Sequence, residues 1–263
     1  MPNLIVFDDL TLGSTFLFGK HQVGSETPWD IEWEIVHQED NYQIAQTVQV
    51  IDVGAFDAKE VFNNNFDRAS SGNNNWKLSN IRQWLNSDAS AGNWYSAQHS
   101  ADAPPRGTDI LIAHPVGYDT RSGFLYHFTD IQKEVLLNFD LTLALPPADG
   151  GGSHIVSQKV FLPTMTQVGF GNNEDVGEGT VFDKYNGVDD DVRVKTIHPN
   201  VVVNAGYSRL ITNRTKWYWL SSVYTDSPYA CNTSIDGSLG CCYPYYGYGG
   251  CAPCICLPRK GEV

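Results

Sequence analysis

All six cysteines of this 263-residue chain, Cys231, Cys241, Cys242, Cys251, Cys254 and Cys256, lie in its last 33 positions. That clustering constrains the fold more than any other feature. A disulfide scaffold spreads its cysteines so that bridges close loops across the whole molecule. Here everything upstream must be held by packing alone. The chain is long enough to bury a core without staples, and 41% hydrophobic with 12% aromatic residues are globular proportions. The tail also carries Tyr224, Tyr229, Tyr243, Tyr245, Tyr246 and Tyr248, set among Ser, Asn, Gly and Pro. Nothing upstream resembles it, so a separate task is expected there.

Acidic residues number 30 against 17 basic, a formal charge of -13. Such a chain repels phosphate backbones, which excludes nucleic acid as the expected partner, and it disfavours anionic membranes. The start, Met1-Pro-Asn-Leu-Ile-Val-Phe-Asp-Asp9, has no basic region and a short apolar run. This predicts no signal peptide, no membrane insertion and synthesis in a cytosol, with a virion tail as a possible destination. The sequons Asn213-Arg-Thr215 and Asn232-Thr-Ser234 then read as chance matches.

Hydrophobic patterning predicts an α+β chain: short, mainly antiparallel strands, about two helices and long loops, in a single domain over 1–263. Ser14 to Lys20, Ile31 to Val36 and Tyr42 to Val50 mix β-branched, aromatic and polar residues as half-buried strands do. Asn63 to Asn65 and Gly72 to Asn75 read as loops. Ser79 is placed to cap a helix whose Ile81, Trp84 and Leu85 form one stripe. Thr129 and Gln132 have capping-box spacing before a second helix, with Ile131, Val135 and Leu136 as its expected buried face. A long irregular segment with Ala103-Pro-Pro105 and Gly117 separates them. Further strands are expected at Leu141 to Leu145, Lys159 to Leu162, Trp217 to Leu220, Tyr229 to Ile235 and Gly250 to Leu257. Asp236-Gly237 marks a tight turn.

Few constellations carry chemistry. Cys251-Ala-Pro-Cys254 has zinc-knuckle spacing, but on one strand Cys254 and Cys256 face away from Cys251, so free thiols are expected and no metal is assigned. Asn186 to Asp191, with Glu174, Asp175 and Glu178, lacks the ligand spacing of a calcium loop and reads as a solvated acidic loop. The seven histidines are dispersed, and His99-Ser100 near Asp102 has sequence proximity without triad geometry. No catalytic residue and no cofactor is assigned, and the chain is read as a non-enzyme.

The tyrosines are more informative. Tyr offers rigid, amphipathic contact area at low entropic cost, while Ser, Gly and Asn supply adaptable hydrogen bonds. Tyr224, Asp226, Ser227, Tyr229, Asn232, Tyr243, Tyr245 and Tyr246 are the expected contacts of an exposed binding surface, with Cys231, Cys241 and Cys242 as further variable positions. Trp217, Trp219, Leu220 and Leu239 are expected as scaffold.

A series of motifs carries a resemblance: Asn80-Ile-Arg-Gln-Trp-Leu-Asn86, Trp94-Tyr-Ser-Ala-Gln-His-Ser-Ala-Asp-Ala-Pro-Pro105, Gly123-Phe-Leu-Tyr-His-Phe128, Lys159-Val-Phe-Leu162, Trp217-Tyr-Trp-Leu220, Asp236-Gly-Ser-Leu239 and Tyr246-Gly-Tyr-Gly-Gly250. Over roughly Gly13 to Leu257 the chain resembles a bacterial and phage family related to the C-type-lectin-like fold. That fold is shared by formylglycine-generating enzymes and by the variable proteins of diversity-generating retroelements. In the variable proteins, a reverse transcriptase system mutates adenines near the 3′ end of the gene, and the resulting residues are displayed on a fixed scaffold. The resemblance implies a variable region at about 221–256 and a cell-surface protein or glycan as ligand. The family's usual Trp-Leu-Arg-Thr/Ser-Pro is replaced here by Trp219-Leu-Ser-Ser-Val223, and a Val-Arg-Pro triplet by Cys251-Ala-Pro253. The enzymatic relatives bind copper through C-x-x-x-x-C, the spacing of Cys251 and Cys256, so a cysteine-dependent copper or zinc protein is the alternative. A structural virion component is the third reading.

Overall fold

Alternation builds the first sheet. In strand β2 (Trp29–Gln38), Ile31, Trp33 and Ile35 are buried at period two while Asp30, Glu32 and Glu34 face outward or lie part-buried. β2 pairs antiparallel with β1 (Thr15–His21) and with β3 (Tyr42–Thr47), as the sequence predicts. These assignments come from a computed structural model that describes residues 7, 9–24, 27–57, 72–96, 120–204, 215–225 and 227–259. The expected loop at Asn63 to Asn65, the segment containing Ala103 to Gly117, the His99–Asp102 group, Asn213 and Asp226 lie outside the described residues.

The architecture is α+β, with three α-helices among the described residues and mainly antiparallel sheets. The first sheet runs β1-β2-β3-β12-β7, with β7 at Val160–Phe161 and β12 at Cys254–Pro258. The second runs β10-β9-β8-β11-β4. Its members are β4 (Asp52–Gly54), β8 (Tyr218–Val223), β9 (Ala230–Thr233), β10 (Leu239–Cys242) and β11 (Gly249–Cys251). Its one parallel pairing joins β11 to β8. A separate hairpin pairs β5 (Phe139–Ala144) with β6 (Ser153–Gln158). Trp33, Trp76, Trp219, Tyr185, Tyr218, Phe56 and Phe161 are fully buried in the core cluster, to which both sheets contribute.

The helix signals locate α1 (Asn80–Leu85) and α2 (Asp130–Val135). Ser79 Oγ accepts from the Arg82 amide. Thr129 and Gln132 form a reciprocal capping box at 3.2 and 3.0 Å. Ile131 is a correction: it is 47% exposed, because a six-residue helix turns only Val135 and the following Leu136 inward. A third helix, α3, spans Pro199–Asn204. No helix among the described residues is long and apolar enough to cross a membrane.

The tail differs most from expectation. Gly250 to Leu257 is two strands rather than one, broken at Ala252-Pro253. Proline has no N–H to continue a ladder. The Pro253 carbonyl instead accepts from the Thr47 amide at 3.0 Å, and the Cys251 carbonyl from Ile51 at 3.0 Å. The chain thereby passes from the second sheet into the first.

Candidate functional site

Strand β8 forms the floor of the second sheet, with all six residues buried. Trp219 and Leu220 are fully buried scaffold, while Trp217 and Leu239 are part-buried against the core. The Trp219 indole donates to the Gly54 carbonyl at 2.9 Å. Beyond β8, β9 and β10 make a hairpin closed at 234–238. The Ser234 amide donates to the Ser238 carbonyl at 2.8 Å, and the Gly237 amide to Ser234 at 3.0 Å. Gly237 sits at φ +85°, and a Cβ there would lie 1.7 Å from the Asp190 carbonyl oxygen, so this corner accepts glycine alone.

The tyrosines form a connected array on this framework. Tyr229 and Tyr243 meet edge to face at 4.6 Å, and Tyr243 contacts Tyr245 at 5.8 Å and Tyr246 at 5.9 Å. Tyr245 lies 5.4 Å from Tyr246, which stacks on Tyr248 at 5.3 Å. Tyr248 meets Trp217 at 5.8 Å, and Trp217 meets the buried Trp219 at 4.7 Å. One line of rings thus runs from solvent to the core. Lys216 lies over Trp217 and Tyr248 at 5.5 and 5.4 Å, and burial lowers its pKa to about 8.

Backbone ties fix the array. The Tyr246 amide donates to Tyr243, and the Asp57 amide to the Pro244 carbonyl at 3.1 Å. Asn74 Nδ2 donates to the carbonyls of Ser227 and Tyr229, both at 3.1 Å. The Thr225 hydroxyl donates to Glu174. The Tyr229 phenol is raised by its hydrogen bond with Tyr243 and then by burial, while burial and neighbouring phenols raise Tyr245 and Tyr248. These three therefore keep their O–H at neutral pH, as donors and acceptors both.

The expected contacts divide. Tyr224 and Cys241 are exposed, and Ser227, Tyr229, Cys242, Tyr243, Tyr245 and Tyr246 are part-buried. Cys231 and Asn232 are corrections, at 1% and 3% exposure. Both stand on β9, which has a neighbour on each side and is buried along its length. Neither presents its side chain to a partner.

The closing cysteines are buried apart. Cys251 lies in the second sheet, and Cys254 and Cys256 in the first. Burial raises all three thiols, Cys256 to about 12. Those are the surroundings of inert packing cysteines rather than of reactive thiolates. No group of three or more His, Cys, Asp or Glu residues among the described residues could hold a metal ion. Glu178 corrects the solvated-loop expectation: it is buried, accepting from the Ala144 amide, Asn173 and the Ser222 hydroxyl.

A buried ionic group went unseen in the sequence. Asp52 accepts from His21 Nε2 at 2.9 Å, from Arg121 at 2.7 Å and from its neighbour Val53 at 2.7 Å. Burial alone would raise its carboxyl, but Arg121 and His21 outweigh burial and leave it below the ordinary value. Cys251 beside it is pushed up by burial and then by the Asp52 charge, the reverse of an activated nucleophile. Residues 21, 52 and 121 share no local motif that could have announced the group.

A family model described as a domain of unknown function (DUF6273) matches residues 44–259. No curated protein and no solved structure shows a match.

Proposed function

The chain belongs to the DUF6273 family, a domain of unknown function, and from that premise we propose that it is a non-catalytic ligand-binding protein. In this reading its scaffold is C-type-lectin-like and its surface is diversified by a retroelement. The observation that carries the proposal is the tyrosine array. Tyr229, Tyr243, Tyr245 and Tyr246 are part-buried, packed ring against ring in edge-to-face and tilted pairs, and anchored through Tyr248 and Trp217 to the core. Pre-ordered aromatic rings bind without a large ordering cost, and their phenols leave hydrogen-bonding capacity at the rim. Tyr224, Ser227, Cys241 and Cys242 surround them. The ligand is a protein or glycan of a target-cell surface, and the carrier a prokaryotic virus or its host.

The alternative, a copper or zinc protein built on Cys251 and Cys256, draws less support, because those cysteines belong to different sheets. The test begins at the gene. A near-copy of its 3′ end should lie beside a reverse transcriptase gene. Replacement of Tyr243, Tyr245 and Tyr246 by Ser should leave a cooperative melt. A gene with no such repeat would remove the diversification, and an unfolded triple variant would make the tyrosines core.

A further inference from the structure

Two of the six cysteines face each other. Cys241 on β10 is paired in register with Cys231 on β9, so their side chains leave the hairpin on the same face. The kind of pair follows from the turn. The Ser234–Ser238 pair is hydrogen-bonded, with a bond of 2.8 Å, and bonded and non-bonded pairs alternate along an antiparallel ladder. Leu239–Thr233 is therefore non-bonded, Gly240–Asn232 bonded and Cys241–Cys231 non-bonded. In non-bonded pairs the Cα atoms approach to about 4.5 Å, at the short end of the roughly 4.4–6.8 Å that a disulfide spans.

The rings two pairs further along, on the same face, also approach closely. Tyr229 and Tyr243 stand two residues beyond the cysteines on the two strands, and their centroids are 4.6 Å apart. Burial, then the Glu178 charge and then charge on Cys241 push the Cys231 thiol well up, so Cys231 stays protonated until its partner is activated, and the two thiols are near enough to feel each other. Cys241 is exposed and open to a soluble oxidant, whereas Cys231 is buried.

We propose that Cys231 and Cys241 are a reversible cross-strand disulfide site, closed by a disulfide oxidant such as glutathione disulfide. The Cys241 thiolate attacks one sulfur of glutathione disulfide, forming a mixed disulfide and expelling one glutathione thiolate. The Cys231 thiol then loses its proton and attacks the Cys241 sulfur, expelling the second glutathione. The protein gives up two electrons and two protons, and one glutathione disulfide becomes two thiols. With Cys241 exposed on an edge strand the bridge stays open to reductant, the character of a labile rather than a structural bridge. It would clamp the hairpin directly beneath the Tyr229–Tyr243 pair, so that the redox state sets the rigidity of the tyrosine surface. The chemistry itself holds whether or not that surface binds a ligand.

The test equilibrates the folded, fully reduced chain with glutathione disulfide. It then alkylates the remaining thiols and maps peptides by mass without reduction. The expected result is loss of two thiols per chain, a cross-linked peptide joining the Cys231 and Cys241 segments, and slowed amide exchange in β9 and β10. Dithiothreitol should reverse all three. Cys242→Ser should leave the cross-link in place, and Cys241→Ser should abolish it. Six free thiols after equilibration, glutathione left on Cys241 alone, or a Cys241–Cys242 bridge would each overturn the proposal.

Discussion

Two stretches of the tail divide its six cysteines equally between them and have opposite fates. From Tyr224 to Tyr248 the chain forms the outer hairpin of the second sheet and the part-buried tyrosine array. From Gly249 to Pro258 it forms β11 and β12, every residue of which is buried. Cys241 is exposed and Cys254 fully buried, thirteen residues apart. The difference is one of topology. β10 is an edge strand, while β11 lies between β8 and β4, and β12 between β3 and β7. Residue type marks the tail as unusual, and strand order decides which part of it faces outward.

The sharpest break of this comparison is Gly249→Val. A Cβ at Gly249 would lie 2.0 Å from Trp219 Nε1, which is already held by Gly54. The cost should reach or exceed the about 1–3 kcal/mol usual for overpacking, and a denaturation curve should show loss of cooperative folding. Next, Cys254→Ser leaves a hydroxyl in a fully buried site and should cost about 1–3 kcal/mol. Cys241→Ser, on the edge, should stay within about 0.5 kcal/mol. Equal costs in urea melts would erase the distinction.

Lys195 sharpens the buried side. It donates to the Thr47 carbonyl at 2.7 Å, and burial lowers its pKa from 10.5 to about 7. Between pH 7 and 10.5 the unfolded chain holds a proton there that the folded chain has released. Unfolding takes that proton up, so stability rises with pH across this window. Lys195→Met should flatten the slope measured by denaturant melts from pH 7 to 10. The smallest effect is expected at Tyr224→Ala: Tyr224 is 44% exposed, and the melting temperature should not move measurably.

Where local chemistry decides, the sequence was readable. Ser79, Thr129 and Gln132 carry their caps in their own spacing, and Ile31, Trp33 and Ile35 announce β2 by alternation. The unread parts depend on distant partners. Gly249 begins β11 one residue before the expected strand by pairing with Gly54, with no side chain to signal it. Leu239-Gly-Cys-Cys242 has little apolar alternation to announce a strand, and β10 comes from its register with β9. Pro253 is legible as a breaker, and the strand expected over Gly250 to Leu257 divides there. Ile131 fitted a helical stripe whose helix was too short to bury it. Cys231 and Asn232 matched the palette of their neighbours, and the strand on each side of β9 took them inside.

The central claim is that the tail is a diversified surface on a fixed frame, and sequencing the gene's 3′ end across many individuals of the source population tests it most directly. The account predicts adenine-directed variation at codons for Tyr224, Ser227, Tyr229, Cys241, Cys242, Tyr243, Tyr245 and Tyr246. Codons for the buried Trp219, Cys251, Cys254 and Cys256 should stay constant. A uniform tail, or variation spread equally over buried and exposed positions, would contradict it.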